Sequence, residues 1–407
     1  MMVYKRRVNY RLYPTAKQQE EMLGLLRKHQ LMYNAALEQR ITAYKKNGVS
    51  LTYQDQTKDL TELRAALPEF KIVNAQSSQN TLKRLDRAMK AFFRRVKSGE
   101  APGFPRFKSF ERYSGWGYNT HGDGWRLHGE EKHGFLRLSG VGYIRMRGKA
   151  RTQGTPKTLD IMYKQGKWYA SIVFDCQSKR KQENITGAIG LDRGVETFAT
   201  MAHDSGKYTA IHNERHLRKE LTKLKQLQCD LSRKKRGSRN WQRLKKQLAA
   251  LYGKIARKRH EFLHQTSAKL VKENSLIAVE KLNIKGMTAK GGKRKKGLNR
   301  EVLSTAPAAF HEMLKYKVEE TGTRYIEVPT RKVKPSQTCS GCGRREKKPL
   351  KQREHSCPCG TPLSRDENAA RVILNWAMGR EPAQCGGKPL GSPAKHETPA
   401  MRCGRHP

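Results

Sequence analysis

The sequence predicts a multi-domain α/β protein, and three observations support this fold class. The chain has 407 residues, which is too long for one compact core and suits roughly two to four units. Predicted strands and helices alternate from residue 187 onward, which is typical of an α/β core with a mixed sheet. Four of the eight cysteines fall between Cys339 and Cys359. This clustering indicates a small metal-bound module rather than disulfides, and therefore a reducing cytoplasm.

The charge of the chain predicts a polyanionic partner. Lysine and arginine number 84 against 36 acidic residues, which gives a formal net charge of +48. Each phosphate that a basic residue neutralises releases counterions, so a charge spread along the chain indicates an extended nucleic-acid footprint. A membrane surface could also attract this charge. We find no run of about 18 apolar residues and no signal-peptide core behind Met1, so nucleic acid is favoured.

The N-terminal part reads as one strand, then helices, then a β-rich region. Residues 2–13 alternate as a strand does, and residues 17–37 and 78–96 have helical periodicity. The segment GFPRFKSF at 103–110 breaks the helical pattern. Further strands are predicted within 135–146 and 158–176, with a hairpin turn at Gln165 and Gly166.

The second part of the chain contains the predicted α/β core. Its expected elements are a three-strand meander (187–192, 198–201, 208–211), an antiparallel helical hairpin (217–231, 241–255), a strand (276–280), a basic loop (286–300), a helix near 302–320 and a strand at 324–329. The basic loop could be a solvated linker or a lid over an active site. Gly379 to Pro407 has almost no apolar periodicity, so we expect a disordered tail at 379–407.

Three carboxylates occupy positions that together suggest a catalytic site. Asp192 ends the strand in GLDRG, Glu280 ends the strand LIAVE, and Asp366 lies in SRDENAARVIL at a predicted helix start. Ser364 and Glu367 have the spacing of a capping box there. Each acid alone has an ordinary explanation, as a strand-end or helix-start residue. Their order on a first strand, a later strand and a late helix is that of RNase H-like folds. Three convergent carboxylates can hold two Mg²⁺ ions that act on a phosphodiester.

The clustered cysteines predict a zinc ribbon. They read Cys339-x2-Cys342-x14-Cys357-x-Cys359, in which thiolate ligation replaces a core that so short a segment cannot build. The second pair is one residue shorter than the usual knuckle. His355 could therefore replace one of the thiolates.

A zinc-protease motif is also present. His260-Glu261-Phe262-Leu263-His264 matches HExxH, which places two imidazoles on one helical face. The motif lies within a basic helix, and no GxxH follows His264. A metalloprotease is therefore disfavoured, and histidines that face phosphates or solvent are the better interpretation.

Several motifs resemble those of one family. GFPRFK, GLDRG, the basic hairpin, AVEKLNIKGM, PSQTCSGCG and RDENAARVIL occur in the order found in the TnpB (OrfB) family. These proteins are transposon-encoded RNA-guided DNA endonucleases, relatives of type V CRISPR effectors. The resemblance covers about residues 1–378 and is strongest from Gly187 onward.

The resemblance implies an organisation and a set of functional residues. The expected modules are a β wedge (1–15 and 113–180), a helical recognition module (16–112), a RuvC nuclease domain (181–330 and 363–378, with the basic hairpin at 214–274) and an inserted zinc ribbon (331–362). The family's catalytic, magnesium-binding acids fall on Asp192, Glu280 and Asp366, and its zinc-binding residues on Cys339, Cys342, Cys357 and Cys359. Tyr53, Gln79 and Asn80 match short patterns near residues that contact the DNA flanking the target.

The resemblance also implies the partners. A guide RNA from the transposon end would pair with double-stranded target DNA, one monomer would hold each RNA, and the protein would act in the cytoplasm at the nucleoid. Three alternatives remain: a nuclease-inactive guided repressor, an unguided nuclease or resolvase, and a strand-transfer transposase. The intact carboxylates argue against the repressor, and no His-hydrophobic-His pair supports the transposase.

Overall fold

A computed structural model describes residues 3–129, 133–147, 154–177, 187–289, 291–349 and 352–380. The chain divides into two compact units, Met1–Gln177 and Ser178–Pro407. Both units contain strands and helices, which confirms the predicted mixed α/β class. The tail expected to be disordered lies, from residue 381 onward, outside the described residues. In the described part of the chain, no helix is long and apolar enough to cross a membrane.

Unit 1 contains a seven-stranded antiparallel sheet. Its strands are β1 (Val3–Tyr13), β2 (Gly115–Tyr118), β3 (Trp125–His128), β4 (His133–Leu138), β5 (Gly142–Arg147), β6 (Thr155–Lys164) and β7 (Lys167–Gln177), in the order β2-β6-β7-β1-β5-β4-β3. The strand predicted at the N-terminus is thus the middle strand of the sheet. The predicted hairpin turn joins β6 to β7, and Gln165 and Gly166 have φ angles of 51° and 72°. Two positive φ values match the turn that suits a two-residue hairpin.

Three helices complete unit 1, and their ends follow from local capping. They are α1 (Ala16–Asn47), α2 (Tyr53–Ala66) and α3 (Ala75–Lys97). Thr15 and Gln18 form a capping box at the start of α1, and the Asn74 side chain caps α3. The apolar faces of the helices join the inner face of the sheet in one core. Its largest buried side chains include Met22, Leu26, Leu37, Leu85, Trp116, Trp125 and Trp168.

Unit 2 is built on a five-stranded mixed sheet. The strands are β8 (Ala188–Arg193), β9 (Thr197–His203), β10 (Tyr208–His212), β11 (Leu276–Glu280) and β12 (Arg324–Val328), in the order β10-β9-β8-β11-β12. β8, β9 and β10 form the predicted antiparallel meander, while β11 runs parallel to both β8 and β12. The predicted strands and the mixed sheet are therefore confirmed.

Helices cover both faces of this sheet. They are α4 (His216–Lys219), α5 (Leu221–Ser232), α6 (Arg239–Glu273), α7 (Ile284–Met287), α8 (Lys293–Ser304), α9 (Pro307–Thr321), α10 (Thr330–Val333) and α11 (Arg365–Ala377); β13 (Glu354–His355) and β14 (Leu363–Ser364) form a short ribbon. Ile189 and Leu191 pack with α6 and α9, whereas Ala188 packs with α11. Because successive strand residues point to opposite faces, β8 is buried on both sides. α5 and α6 form the predicted helical hairpin.

The basic segment after Glu280 differs from the prediction. We expected a loop over 286–300, but a 12-residue helix, α8, begins at Lys293. The Asn299 side chain donates to the carbonyls of Thr288 and Ala289, which ties α8 to the end of α7. The helix predicted near 302–320 is divided at Ala306, whose φ is 50°. Pro307 then begins α9, because proline lacks the N–H that a continuous helix would need.

Candidate active site and cysteine cluster

Two of the predicted acids lie side by side at one edge of the unit 2 sheet. Leu191 in β8 is in register with Val279 in the parallel strand β11. The next residues along these strands, Asp192 and Glu280, therefore lie at neighbouring strand ends. The two carboxyl groups are close enough that the charge of Glu280 raises the pKa of Asp192. Glu280 is only 8% exposed, whereas Asp192 is half-buried.

The third acid is brought to the pair by close packing between α11 and β8. A Cβ atom at Gly190 would lie 2.3 Å from the Ala370 carbonyl oxygen and 2.6 Å from the Leu374 amide nitrogen. Only a glycine permits this approach without a shift of backbone. Asp192 is two residues after Gly190 and so shares its face of the strand, while Asp366 is four residues before Ala370 and shares its face of the helix. The Gly190 contact therefore directs Asp366 toward Asp192.

The start of α11 fixes the backbone at Asp366. The Ser364 hydroxyl accepts from the Glu367 amide at 3.2 Å, and the Glu367 carboxylate accepts from the Ser364 amide at 2.9 Å. This is the predicted capping box, and it is confirmed. Asp366 is thus held within the first turn of the helix.

The electrostatics of the three acids reflect their proximity. Burial first, and then the charges of Glu280 and Asp366, raise the pKa of Asp192 well above its usual value. Burial also raises the pKa of Glu280, although Arg193 and the hydrogen bond from Asp192 oppose the shift. The Arg193 guanidinium donates to the carbonyls of Glu280 at 2.7 Å and Pro307 at 3.3 Å. Neighbouring carboxylates whose charges repel one another are suited to a hard divalent cation, which would relieve that repulsion.

The four cysteines form a tighter cluster than the acids. Their Sγ atoms all lie within 4.8 Å of one another, and the Cys339–Cys359 and Cys342–Cys357 pairs are 3.5 Å apart. Tetrahedral ligation at a Zn–S distance of about 2.3 Å places sulfurs about 3.8 Å apart. Within the described residues, ligand atoms of three or more Asp, Glu, His or Cys meet only at this cluster. The cysteine cluster is compatible with zinc.

The short second knuckle is accommodated by a glycine in the first. A Cβ atom at Gly341 would lie 2.4 Å from the Thr361 hydroxyl oxygen and 3.7 Å from Cys359 Sγ. The Thr361 side chain and then its backbone amide, by hydrogen bonding, lower the pKa of Cys359 to about 6. The cluster contains all four cysteines and not His355. His355 instead contacts the Lys348 amine through Nδ1 at 2.7 Å, and burial followed by Lys348 lowers its pKa.

A residue that the sequence analysis missed connects the two sites. Asn368 is 1% exposed; its side-chain oxygen accepts from the Ser340 amide at 2.8 Å and its nitrogen donates to the Thr338 carbonyl at 2.7 Å. Asn375, two turns later on α11, donates to the Ser340 carbonyl. The backbone around Cys339 is therefore clamped to the helix that contains Asp366. An asparagine within the apolar stripe of α11 was the available signal.

The remaining predicted site residues lie elsewhere. Tyr53 begins α2, while Gln79 and Asn80 lie on α3 in unit 1, where the Asn80 side chain donates to Asn119 Oδ1 at 2.7 Å. Their role in contacting flanking DNA stays a prediction. In the HExxH motif, the rings of His260 and His264 are 4.4 Å apart.

Within the described residues, no acid or third histidine joins His260 and His264 in a cluster of potential metal ligands. The Tyr316 hydroxyl lies 3.3 Å from His264 Nδ1. This arrangement gives the protease interpretation no support.

Solved structures share the fold. A Cas12f1–sgRNA–target DNA complex determined by cryo-EM aligns with a TM-score of 0.62 at 13% identity, over 92% of this chain and 99% of that one. The protein therefore shares the fold of that Cas12f1 chain.

Family models and relatives then identify the family. Models described as "Probable transposase", "Cas12f1-like, TNB domain" and "Helix-turn-helix domain" match residues 171–290, 308–373 and 1–49. Over 1–49 the described residues form one strand and one helix. A "Putative RNA-guided DNA endonuclease" of Streptomyces pristinaespiralis is 30% identical over 95% of this chain and 92% of its own length. The "Putative RNA-guided DNA endonuclease InsQ" of Escherichia coli K12 is 29% identical over 96% and 97%. The chain belongs to this TnpB (OrfB) family.

Proposed function

We propose that the protein is an RNA-guided DNA endonuclease that hydrolyses phosphodiester bonds at Asp192, Glu280 and Asp366. The observation that carries the proposal is the packing of α11 on β8 through Gly190, which directs three acids from distant parts of the sequence to one edge of the sheet. The names of its relatives support the same activity.

The three carboxylates would hold Mg²⁺. Two bound ions would supply Lewis-acid stabilisation of the attacking and leaving oxygens of the phosphodiester. The residues of the chain itself provide the geometry: the β8–β11 register aligns Asp192 with Glu280, and the capping box fixes Asp366. Arg193 restrains the backbone at Glu280 by binding its carbonyl oxygen. Burial of Glu280 strengthens its electrostatic interactions, because less water screens them.

We further propose a role for each part of the chain. The seven-stranded sheet would be the wedge module, α1 to α3 the recognition module, and the sheet of unit 2 the RuvC domain with the cysteine cluster as a zinc ribbon. Base pairing with the guide would supply sequence specificity, and the protein would read only a short motif beside the target. Tyr53, Gln79 and Asn80 are the proposed contacts to that motif. A net charge of +48 suits simultaneous binding of a structured RNA and a DNA duplex by one monomer.

The test is cleavage of a plasmid library with randomised flanks. Full-length protein is reconstituted with RNA that matches the target, with mismatched RNA, or with none, in Mg²⁺ at moderate salt. We expect cutting only with the matched RNA and only beside a fixed flank. Equal cutting in all three reactions would instead identify an unguided nuclease.

A guided repressor is the second candidate, favoured by the same charge and fold. It differs in that wild-type protein would bind the matched target without cutting it. The presence of all three acids argues against this candidate. The library experiment distinguishes the two, because target binding can be measured by gel shift in the same reactions.

A further inference from the structure

Unit 1 exposes a group of phenylalanines that neither the catalytic site nor the cysteine cluster explains. Phe93, Phe104 and Phe107 are 57%, 44% and 53% exposed. The ring of Phe92 contacts those of Phe93 and Phe104, each at a centroid distance of 5.1 Å and in edge-to-face geometry. We call these four residues the phenylalanine platform. Clustered exposed aromatic rings are unusual on a protein surface and mark an interaction site.

The loop that presents the platform is fixed at its start. The Arg95 guanidinium donates to the carbonyl oxygens of Pro102 at 2.5 Å and Gly103 at 3.0 Å. Gly103 has a φ of 57°, which glycine adopts without strain. These contacts attach the beginning of the GFPRFK segment to the C-terminal end of α3.

The loop is also fixed at its end. The Lys108 amide donates to the Asn34 side chain at 2.8 Å, and the Gln30 side chain donates to the Lys108 carbonyl at 2.6 Å. Gln30 and Asn34 lie one turn apart on α1, so the segment is bound to two helices. Phe104 and Phe107 are thus exposed on a backbone that is already held in place, so this segment loses little backbone freedom when a partner binds.

The charge around the platform identifies the kind of partner. Between Arg87 and Phe110 there are seven lysine or arginine residues and one acid, Glu100. Arg94, Lys97 and Arg106 are exposed beside the phenylalanines. Aromatic rings interleaved with cations match a nucleic-acid strand, because the rings stack on unpaired bases while the cations contact phosphates.

We propose that the phenylalanine platform stacks unpaired bases of the guide RNA. This inference rests on the proposed function, since it takes the RNA as a resident partner. In the proposed function the guide RNA would stay bound while targets exchange. A held apolar surface is best covered by a partner that stays bound, so RNA is favoured over target DNA. Structured RNA also offers bases in single-stranded loops and joints, which double-stranded DNA does not.

The experiment measures the affinity of full-length protein for its co-purifying RNA at several salt concentrations. We expect Phe104→Ala to weaken binding roughly 5- to 150-fold, the range for loss of one base–aromatic stack. The dependence of affinity on salt should not change, because no phosphate contact is lost. Arg106→Ala should instead lower the salt slope by about one. Phe104→Trp should restore affinity, and Phe135→Ala, which removes a 47% exposed ring from β4, is the matched control.

The possible outcomes distinguish a failure of the platform proposal from a failure of the proposed function. Wild-type protein that retains no RNA would contradict the proposed function itself. If wild-type protein binds RNA and Phe104→Ala binds it equally well at an unchanged melting temperature, only the platform is wrong. A loss confined to single-stranded DNA of the same sequence would overturn the assignment to RNA. A change in particle mass without a change in RNA affinity would show that a second copy of the chain covers the rings.

Discussion

Single residues decide whether the three acids can act together. Asp192 and Glu280 depend on strand register, which their own neighbours specify, but Asp366 depends on the absence of a side chain at Gly190. Gly190, which has no side chain, is therefore as important to the proposed site as the acids themselves. Two substitution series follow from this arrangement.

The first series removes the acids one at a time. Asp192→Ala, Glu280→Gln and Asp366→Ala should each reduce Mg²⁺-dependent cleavage by more than about 100-fold, beyond the roughly 10- to 100-fold cost of losing a residue that only supports a ligand. Target binding should stay nearly intact, because each change would remove a proposed metal ligand rather than a basic side chain that binds phosphate. Plasmid cleavage and gel shift measure the two properties. Glu196→Gln is the control. Glu196 lies four residues after Asp192, and its exposed ion pair with Arg353 contributes little to stability.

The second series adds one methyl group. Gly190→Ala should greatly reduce cleavage because its Cβ would meet the α11 backbone at 2.3 Å and force the helix, with Asp366, away from β8. Gly297→Ala is the matched control, because its Cβ meets nothing within 4 Å and it lies within α8. That control should be neutral or stabilising by up to about 1 kcal/mol. Equal activity of the two variants would show that α11 is not positioned by this contact.

At the scale of elements, α11 holds both the third acid and the backbone around Cys339. Cys339→Ser or Cys342→Ser should reduce zinc from about one ion per chain to near zero, with loss of local folding. Elemental analysis of fresh protein measures the zinc content. Cys229→Ser, an exposed cysteine outside the cluster, should leave the zinc content unchanged.

The Asn368 clamp predicts that the two sites are coupled. Asn368→Leu keeps a similar volume but leaves the Ser340 amide and Thr338 carbonyl without their partner, at a cost of about 1–3 kcal/mol for each unpaired group. We expect faster zinc release to a chelator together with slower cleavage. Asn375→Leu, which removes one weaker contact at 3.3 Å, should have the same effects to a smaller degree. Slower cleavage with unchanged zinc release would show that Asn368 acts only on the helix.

These elements also show which parts of the candidate site can be predicted from the sequence. Asp192 and Glu280 lie at the ends of apolar strands, and Ser364 and Glu367 indicate the start of a helix. Local sequence patterns therefore predict where these residues lie. The Asn368 clamp does not, because its partners lie about 30 residues away and only the fold brings them together. α8 was missed because its lysines and Gly297 resemble a solvated loop, whereas its attachment through Asn299 is tertiary.

At the scale of the whole unit, a buried histidine makes unit 1 sensitive to acid. His29 is 1% exposed, stacks on Trp116 and contacts Thr81 and Ser77. Burial, and then the charge of Arg84, lowers the pKa of His29 to about 3. The unfolded chain binds a proton near pH 6.5 and the folded chain does not. Stability is therefore complete above about pH 6.5 and declines by about 1.4 kcal/mol per unit as the pH falls toward 3.

The corresponding measurement is the unfolding free energy of unit 1 within the full-length protein, taken from chemical unfolding curves at pH 7, 6 and 5. Wild-type protein should lose about 2 kcal/mol of unfolding free energy between pH 7 and 5. His29→Gln, which keeps hydrogen-bonding capacity toward Thr81, should lose much less over the same interval even if it is less stable at pH 7. His128→Gln, which replaces an exposed ring, should retain the wild-type slope.

The position of β1 in the sheet of unit 1 has a consequence for how the chain acquires its structure. β1 pairs with β7 from Val3↔Gln177 to Leu12↔Trp168, and with β5 on its other side. Once synthesised, β1 must therefore wait for some 130 further residues before its first partner, β5, is made, and for some 160 before β7 is made. Pairings so distant in sequence close slowly, because loop entropy is lost before any contact compensates it. During synthesis β1 is an unpaired edge, and its four arginines and lysines, Lys5, Arg6, Arg7 and Arg11, are the kind of charge that keeps such an edge from aggregating.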